Sequence, residues 1–149
     1  MYLLLLRLHG AWRWAVIVGG AVVLLALLWG LVRRQPWTPR GALLNKLFLR
    51  AVDVQVLLGA ALYLVVSPLT TIALNTGSAA PAGSDIEFFG VRHSLMMAAA
   101  FIGMHVASGV LRRKRWSDSA RYGIAIACYS IVYLVMFSMV PWWRPWLRV

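Results

Sequence analysis

The stretch Trp14-Ala-Val-Ile-Val-Gly-Gly-Ala-Val-Val-Leu-Leu-Ala-Leu-Leu-Trp-Gly-Leu-Val32 carries no charged side chain over 19 residues. As a helix rising 1.5 Å per residue it is long enough to cross about 30 Å of hydrocarbon. Three further apolar blocks, at about 51–67, 91–111 and 123–140, repeat the pattern, with the strongly polar stretches between them. The composition agrees: 62% of the residues are apolar, 13% are charged and the mean hydropathy is +0.77, far from the balance of a water-soluble domain. Lipid offers no water to satisfy a strand edge, so each block must be a helix. The expected fold is a single all-α domain over 1–149, an integral-membrane four-helix bundle. Its helices are expected over about 10–32, 50–67, 90–112 and 121–140, with an outer loop over 68–89.

A net charge of +11 invites a nucleic-acid reading, and the placement of the basic residues rejects it. Arg33, Arg34, Arg40, Lys46 and Arg50 lie between the first two blocks, and Arg112, Arg113, Lys114, Arg115 and Arg121 between the last two, so ten of the 15 share one side. The other side holds Arg7, Arg92, Arg144 and Arg148, with Arg13 just inside the first block and Asp85 and Glu87 in its loop. The positive-inside rule makes the basic connections cytoplasmic and puts both termini outside. The partner implied by the charge is then the anionic lipid bilayer, not nucleic acid.

Several classes of chemistry have no support. The Met1–Leu8 start is too short for a signal-peptide core, so the first helix is expected to remain. Cys128 is alone in the fourth helix, which excludes a disulfide framework or a thiol pair. No phosphate loop, internal repeat, Ser-His-Asp set or paired carboxylates can be found, so an independent enzyme is not expected. A small-solute transporter is a poor fit without an inverted repeat or a central polar break in helices one and four. The eight tryptophans fall near the two membrane boundaries, Trp12, Trp14, Trp142, Trp143 and Trp146 outside and Trp29, Trp37 and Trp116 inside. That is an aromatic belt, or, with Arg13, Arg144 and Arg148, an outer docking surface.

Function must then lie in polar groups at membrane depth, where they are costly and face a bundle interior. An outer set comprises His9 and Arg13, one turn apart on helix one, with Arg92 and His93 at the top of helix three. An inner set comprises Asp53, Gln55, His105 and Tyr129, with Tyr133. Counting at 1.5 Å per residue, His105 lies about 10 Å from Arg112, Gln55 about 8 Å from Arg50 and Tyr129 about 12 Å from Arg121. His93 comes out roughly 28 Å above Arg112 and His9 roughly 36 Å above Arg33, a mismatch that helix tilt would have to remove. Two histidines from different helices of a bundle are the minimum for axial ligation of a b-type haem iron, with Arg13 and Arg92 suited to its propionates. The plainer reading keeps His9 in the headgroup region and gives His93 a loop carbonyl. The inner set reads either as a quinone-headgroup or proton-exchanging pocket or as a hydrogen-bond network that fixes packing. His93 and His105 stand about 120° apart around one helix, so they cannot serve two stacked haems.

The segments Leu8-His-Gly-Ala-Trp-Arg-Trp14, Asp53-Val-Gln-Val-Leu-Leu-Gly-Ala-Ala-Leu-Tyr63, Phe88-Phe-Gly-Val-Arg-His-Ser-Leu-Met-Met97 and His105-Val-Ala-Ser-Gly-Val-Leu-Arg-Arg113 resemble, in order and over most of the chain, a family of small bacterial four-helix membrane proteins labelled cytochrome b-like. The resemblance implies a multi-pass protein of the bacterial cytoplasmic membrane that works in electron transport. Arg92 stands where that family often carries Glu, and Ser108-Gly109 displaces the glycine that follows its later histidine.

The expected function is a small membrane subunit of a respiratory or photosynthetic electron-transfer system, binding haem b through His9 and His93 or a quinone at the inner set. The alternative is a non-redox accessory subunit that stabilises a larger membrane complex. Either way other membrane subunits are expected partners. The topology is testable: with Cys128 replaced, single cysteines at Gly77 and Ser117 should react with an impermeant thiol reagent in intact cells only at Gly77. Labelling at Ser117 instead would invert the orientation.

Overall fold

The computed structural model describes residues 1–76, 81–112 and 116–144, the side chains of 39–41 excepted. Of the residues singled out above, Gly77, Arg113, Lys114, Arg115, Trp146 and Arg148 lie outside the described residues, and only the backbone of Arg40 is described. Among the described residues all regular structure is helical. Four helices are long and apolar enough to cross a membrane. Leu25, Leu57, Ile102 and Leu134, one from each, turn exposed side chains outward. That much contiguous apolar surface suits lipid and not water.

Helix α1 (Tyr2–Val32) starts well before the expected position near 10, because Leu3–Leu8 contains good helix formers and no breaker. Its inner end closes on Arg34, whose φ of 49° is left-handed. Gln35 N–H donates to the Gly30 carbonyl at 2.9 Å and Arg34 N–H to Leu31 at 3.1 Å, the Schellman closure usually built on glycine. Helix α2 (Pro39–Ala61, continuing as a π-helix through Leu62–Val66) begins about three turns before the expected 50. Pro39 suits a first helical position, and Lys46 and Arg50 stay exposed on its surface, so neither interrupts it.

The outer segment expected to be a loop contains helix α3 (Pro68–Thr76). Ser67 Oγ accepts from Thr70 N–H at 3.4 Å to start it, and buried Thr70 and Ala73 fold it back onto the bundle. Helix α4 (Asp85–Leu111) opens at Ser84, whose hydroxyl accepts from Glu87 N–H at 3.2 Å. The first turn passes into a π-helical stretch, Phe88–Arg92, before regular α-helix resumes at His93. Helix α5 (Asp118–Ser138) is capped in the same way by Ser117 through Ala120 N–H at 3.3 Å.

The spanning helices form an antiparallel ring in which α1 packs on α2 and α5, and α4 packs on α5 and α2. Both basic connections thus lie at one end and both termini at the other. The core of Val23, Leu27, Phe48, Met104, Ala125 and Tyr129 fills the half nearer the basic connections. Glycines let it close. A Cβ on Gly20 would stand 2.5 Å from the Tyr133 ring, and one on Gly30 would stand 2.4 Å from the Tyr122 ring.

The tightest approach is at the other end, where a Cβ on Gly90 would come within 2.2 Å of the Ala73 methyl group. Gly90→Ala should therefore push α3 off α4 and lower stability by about 1–3 kcal/mol, read as a lower melting midpoint of the detergent-purified chain. In a cycle with Ala73→Gly the added methyl should cost little. Gly123→Ala, where a Cβ meets nothing within 4 Å, should be neutral or stabilising; equal loss at both positions would contradict the contact.

Candidate functional site

While the half nearer the basic connections is filled, the half nearer the termini is held open. A cavity of about 630 Å³ lies there, lined from every helix and including His9, Arg13, Gln55, Tyr63, His93 and Tyr133. Three bonds from side chains to main-chain carbonyls brace its walls. Tyr63 Oη donates to Gly90 at 2.7 Å, joining the two π-helical stretches, and Tyr133 Oη donates to Ile17 at 2.9 Å. Trp12 Nε1 donates to Ala51 at 2.8 Å and fixes α1 against α2. π-Helical insertions often mark functional positions, and here both flank the opening.

The two histidines expected at different heights meet across this cavity. Their ring centroids are 6.5 Å apart and their planes are crossed at 73°. His93 follows the π-helical stretch, packs against Phe88 and Phe89, and directs Nδ1 to the Met139 carbonyl at 2.9 Å. That bond places the proton on Nδ1 and leaves the lone pair on Nε2. His9 lies against α2 where Gly59 admits it; a Cβ there would stand 3.1 Å from its Cε1. The Gln55 amide nitrogen donates to the His9 carbonyl and faces its Nε2, each at 3.2 Å, while His9 Nδ1 and Gln55 Oε1 are buried without hydrogen-bond partners. Buried polar atoms left in this way are uncommon and call for a physical account.

Of the arginines, Arg13 lines the cavity as expected and Arg92 does not. Arg92 is exposed, 3.4 Å from Glu87 and set over the Phe88 ring. Its place is taken by Arg144, which reaches the cavity while paired with Asp85 and stacked on Phe89. The sequence placed Arg144 in an outer aromatic surface; there Trp142 packs on Trp14 and Trp143 on Phe88 while both stay exposed, and it is Arg144 that turns to the cavity.

The expected inner set separates. Gln55 belongs with His9, because α2 starts at Pro39 and Gln55 sits near the middle of the span instead of just inside it. Tyr129 is buried in the core with its hydroxyl bonded to Ser108. Asp53 and His105 alone stay together, with the His105 Nε2 3.2 Å from Asp53 Oδ1. Gln55 was named but set with the inner group, and Gly59 and Tyr63, which accompany it, were missed. They share one face of α2 at helical spacing, legible only once the helix is begun at Pro39.

No protein-family model, curated protein or solved structure matches the chain.

The site itself limits what it can hold. No group of three or more His, Cys, Asp or Glu side chains gathers among the described residues. A metal held there by these two imidazoles would take its other ligands from an enclosing framework. The residues fit a haem. Two imidazoles on opposite faces of one iron have centroids about 6 Å apart, from Fe–N bonds of about 2 Å and ring nitrogens about 1 Å from the centroid. The observed 6.5 Å is close to that, and the volume lies within the range of cofactor cavities.

Proposed function

We propose that this chain is a small electron-transfer subunit of the bacterial cytoplasmic membrane and that His9 and His93 would hold one b-type haem in the half nearer the termini. The observation that carries this reading is the pair of imidazoles brought from two helices into one cavity, their centroids 6.5 Å apart and their planes crossed, one oriented by the Met139 carbonyl and the other with a buried ring nitrogen that has no hydrogen-bond partner.

Haem would supply a one-electron iron couple. The chain's residues supply the rest. Met139 and Gln55 fix the two ring orientations, as outer-shell partners of metal-bound histidine do. Arg13 and Arg144 provide positive charge for carboxylates at the outer rim. Phe88, Phe89 and Phe101 exclude water and keep the local dielectric low, which favours electron transfer over ligand exchange. The outer position, with the basic connections cytoplasmic, would put electron exchange near the outer surface and with a neighbouring subunit or soluble carrier. A quinone headgroup at Asp53–His105 is the weaker reading, because both His105 nitrogens already face acceptors.

His9→Ala and His93→Ala should each reduce the haem retained by the purified chain at least about tenfold, the order of loss when a metal's protein ligand or its support is removed. His105→Ala should retain haem and its low-spin reduced-minus-oxidised spectrum. A wild-type chain without haem absorbance, or equal loss in all three variants, would contradict the proposal and favour the accessory-subunit role.

A further inference from the structure

The chain does not leave the bundle where α5 ends. Residues Met139–Arg144 turn back across the cavity, whose wall includes Val140, Pro141 and Arg144. They form a compact strap, in which Trp142 N–H donates to the Val140 carbonyl at 2.9 Å and Arg144 N–H to Pro141 at 3.0 Å. Three side chains pin it. Trp142 packs on Trp14 of α1, Trp143 on Phe88 of α4, and Arg144 lies 4.4 Å over the Phe89 ring while pairing with Asp85 in the first turn of α4. The two indoles are loosely held, Trp142 39% and Trp143 60% exposed, whereas the Arg144 side chain is 18% exposed. The ion pair is therefore the firmest attachment, because a charge-assisted bond strengthens as water is excluded from it.

The near end of the strap is the group that orients His93. Met139 caps α5 with φ −91° and ψ 4°, and its carbonyl is one of the terminal acceptors that a helix leaves without an internal partner. It lies 2.9 Å from His93 Nδ1. That oxygen belongs to the planar peptide unit joining Met139 to Val140, so its direction follows the course the chain takes out of the helix. Anchoring Arg144 fixes that course. The same anchor also acts through packing: Phe88 and Phe89, against which Trp143 and Arg144 rest, have centroids 5.6 and 5.9 Å from the His93 ring.

We infer that Asp85 is a positioning residue for His93. Through Arg144 it draws the strap onto α4 and holds the Met139 carbonyl on Nδ1, which keeps the ring proton there and leaves Nε2 unprotonated. Asp85 itself is not part of the cavity wall, so it acts from a distance. This positioning belongs to the chain alone; only its consequence for an iron rests on the haem reading. With haem on Nε2, a firmly accepted Nδ1 proton makes the imidazole more basic and favours the ferric state.

Nitrogen-15 NMR of the histidine-labelled chain, prepared without haem in lipid nanodiscs, reads that proton. In the wild type the His93 Nδ1 proton should be resolved and slow to exchange with water. Asp85→Asn should speed its exchange by about tenfold, the order expected when a charge-assisted hydrogen bond is lost, and Asp85→Glu should restore the wild-type rate. Arg144→Gln should match Asp85→Asn, and the double variant should be little worse than either, since both break one contact. Glu87→Gln, which removes the neighbouring pair with Arg92, should leave the exchange unchanged, with melting midpoints verifying that each variant is folded. In the haem-loaded chain Asp85→Asn should raise the reduction potential and Glu87→Gln should not. The inference is overturned if the wild-type proton is unprotected, if Asp85→Asn leaves its exchange unchanged, if Glu87→Gln speeds it as much, or if the loaded Asp85→Asn chain keeps the wild-type potential. A chain that takes up no haem would count against the proposed cofactor, and the exchange rates would still decide the role of Asp85.

Discussion

Every polar group in the spanning helices has to find its partner inside the protein, because the bilayer supplies none. The helices meet this demand largely with side chains that donate to main-chain carbonyls of a neighbour: Trp12 to Ala51, Tyr63 to Gly90, Tyr133 to Ile17 and His93 to Met139. A carbonyl already accepting within its helix has a second lone pair to offer, so these bonds leave the helices intact and fix their relative heights. The bundle is therefore registered by hydrogen bonding as much as by packing, which alone discriminates poorly among apolar helices in an apolar solvent.

That registration divides the molecule. Toward the basic connections, Gly20 and Gly30 let tyrosine rings lie directly on the α1 backbone, and the core closes. Toward the termini, the π-helical stretches Leu62–Val66 and Phe88–Arg92 and the cover formed by α3 keep the helices apart around the cavity. The histidines are thereby presented in a built space, and the groups that orient them come from other helices.

The spans were legible in the sequence because hydrophobic length is a strong signal. Their ends were less so. Charged side chains were taken as boundaries at Arg50 and near Arg7, yet both lie within helices, since a long basic stem lets the charge reach the interface without breaking the backbone. That error misplaced Gln55, whose height was counted from Arg50. The histidine pair and Arg13 were readable as candidates. Arg144, Met139 and Gly59 were not, because their roles come from tertiary contacts that bring positions some 46 to 59 residues apart together. Of the acidic residues in the first turn of α4, Asp85 takes Arg144 and Glu87 takes Arg92.

The central claim is that His9 and His93 face one another, crossed, across a single iron. When two axial imidazole planes are crossed, the iron orbitals they perturb remain close in energy, whereas parallel planes split them. Low-temperature electron paramagnetic resonance of the oxidised, purified chain reads this directly. The account predicts a low-spin ferric signal with one large g value and strong anisotropy, as planes near the observed 73° require. A high-spin signal, a rhombic signal of parallel imidazoles, or no haem signal at all would contradict it.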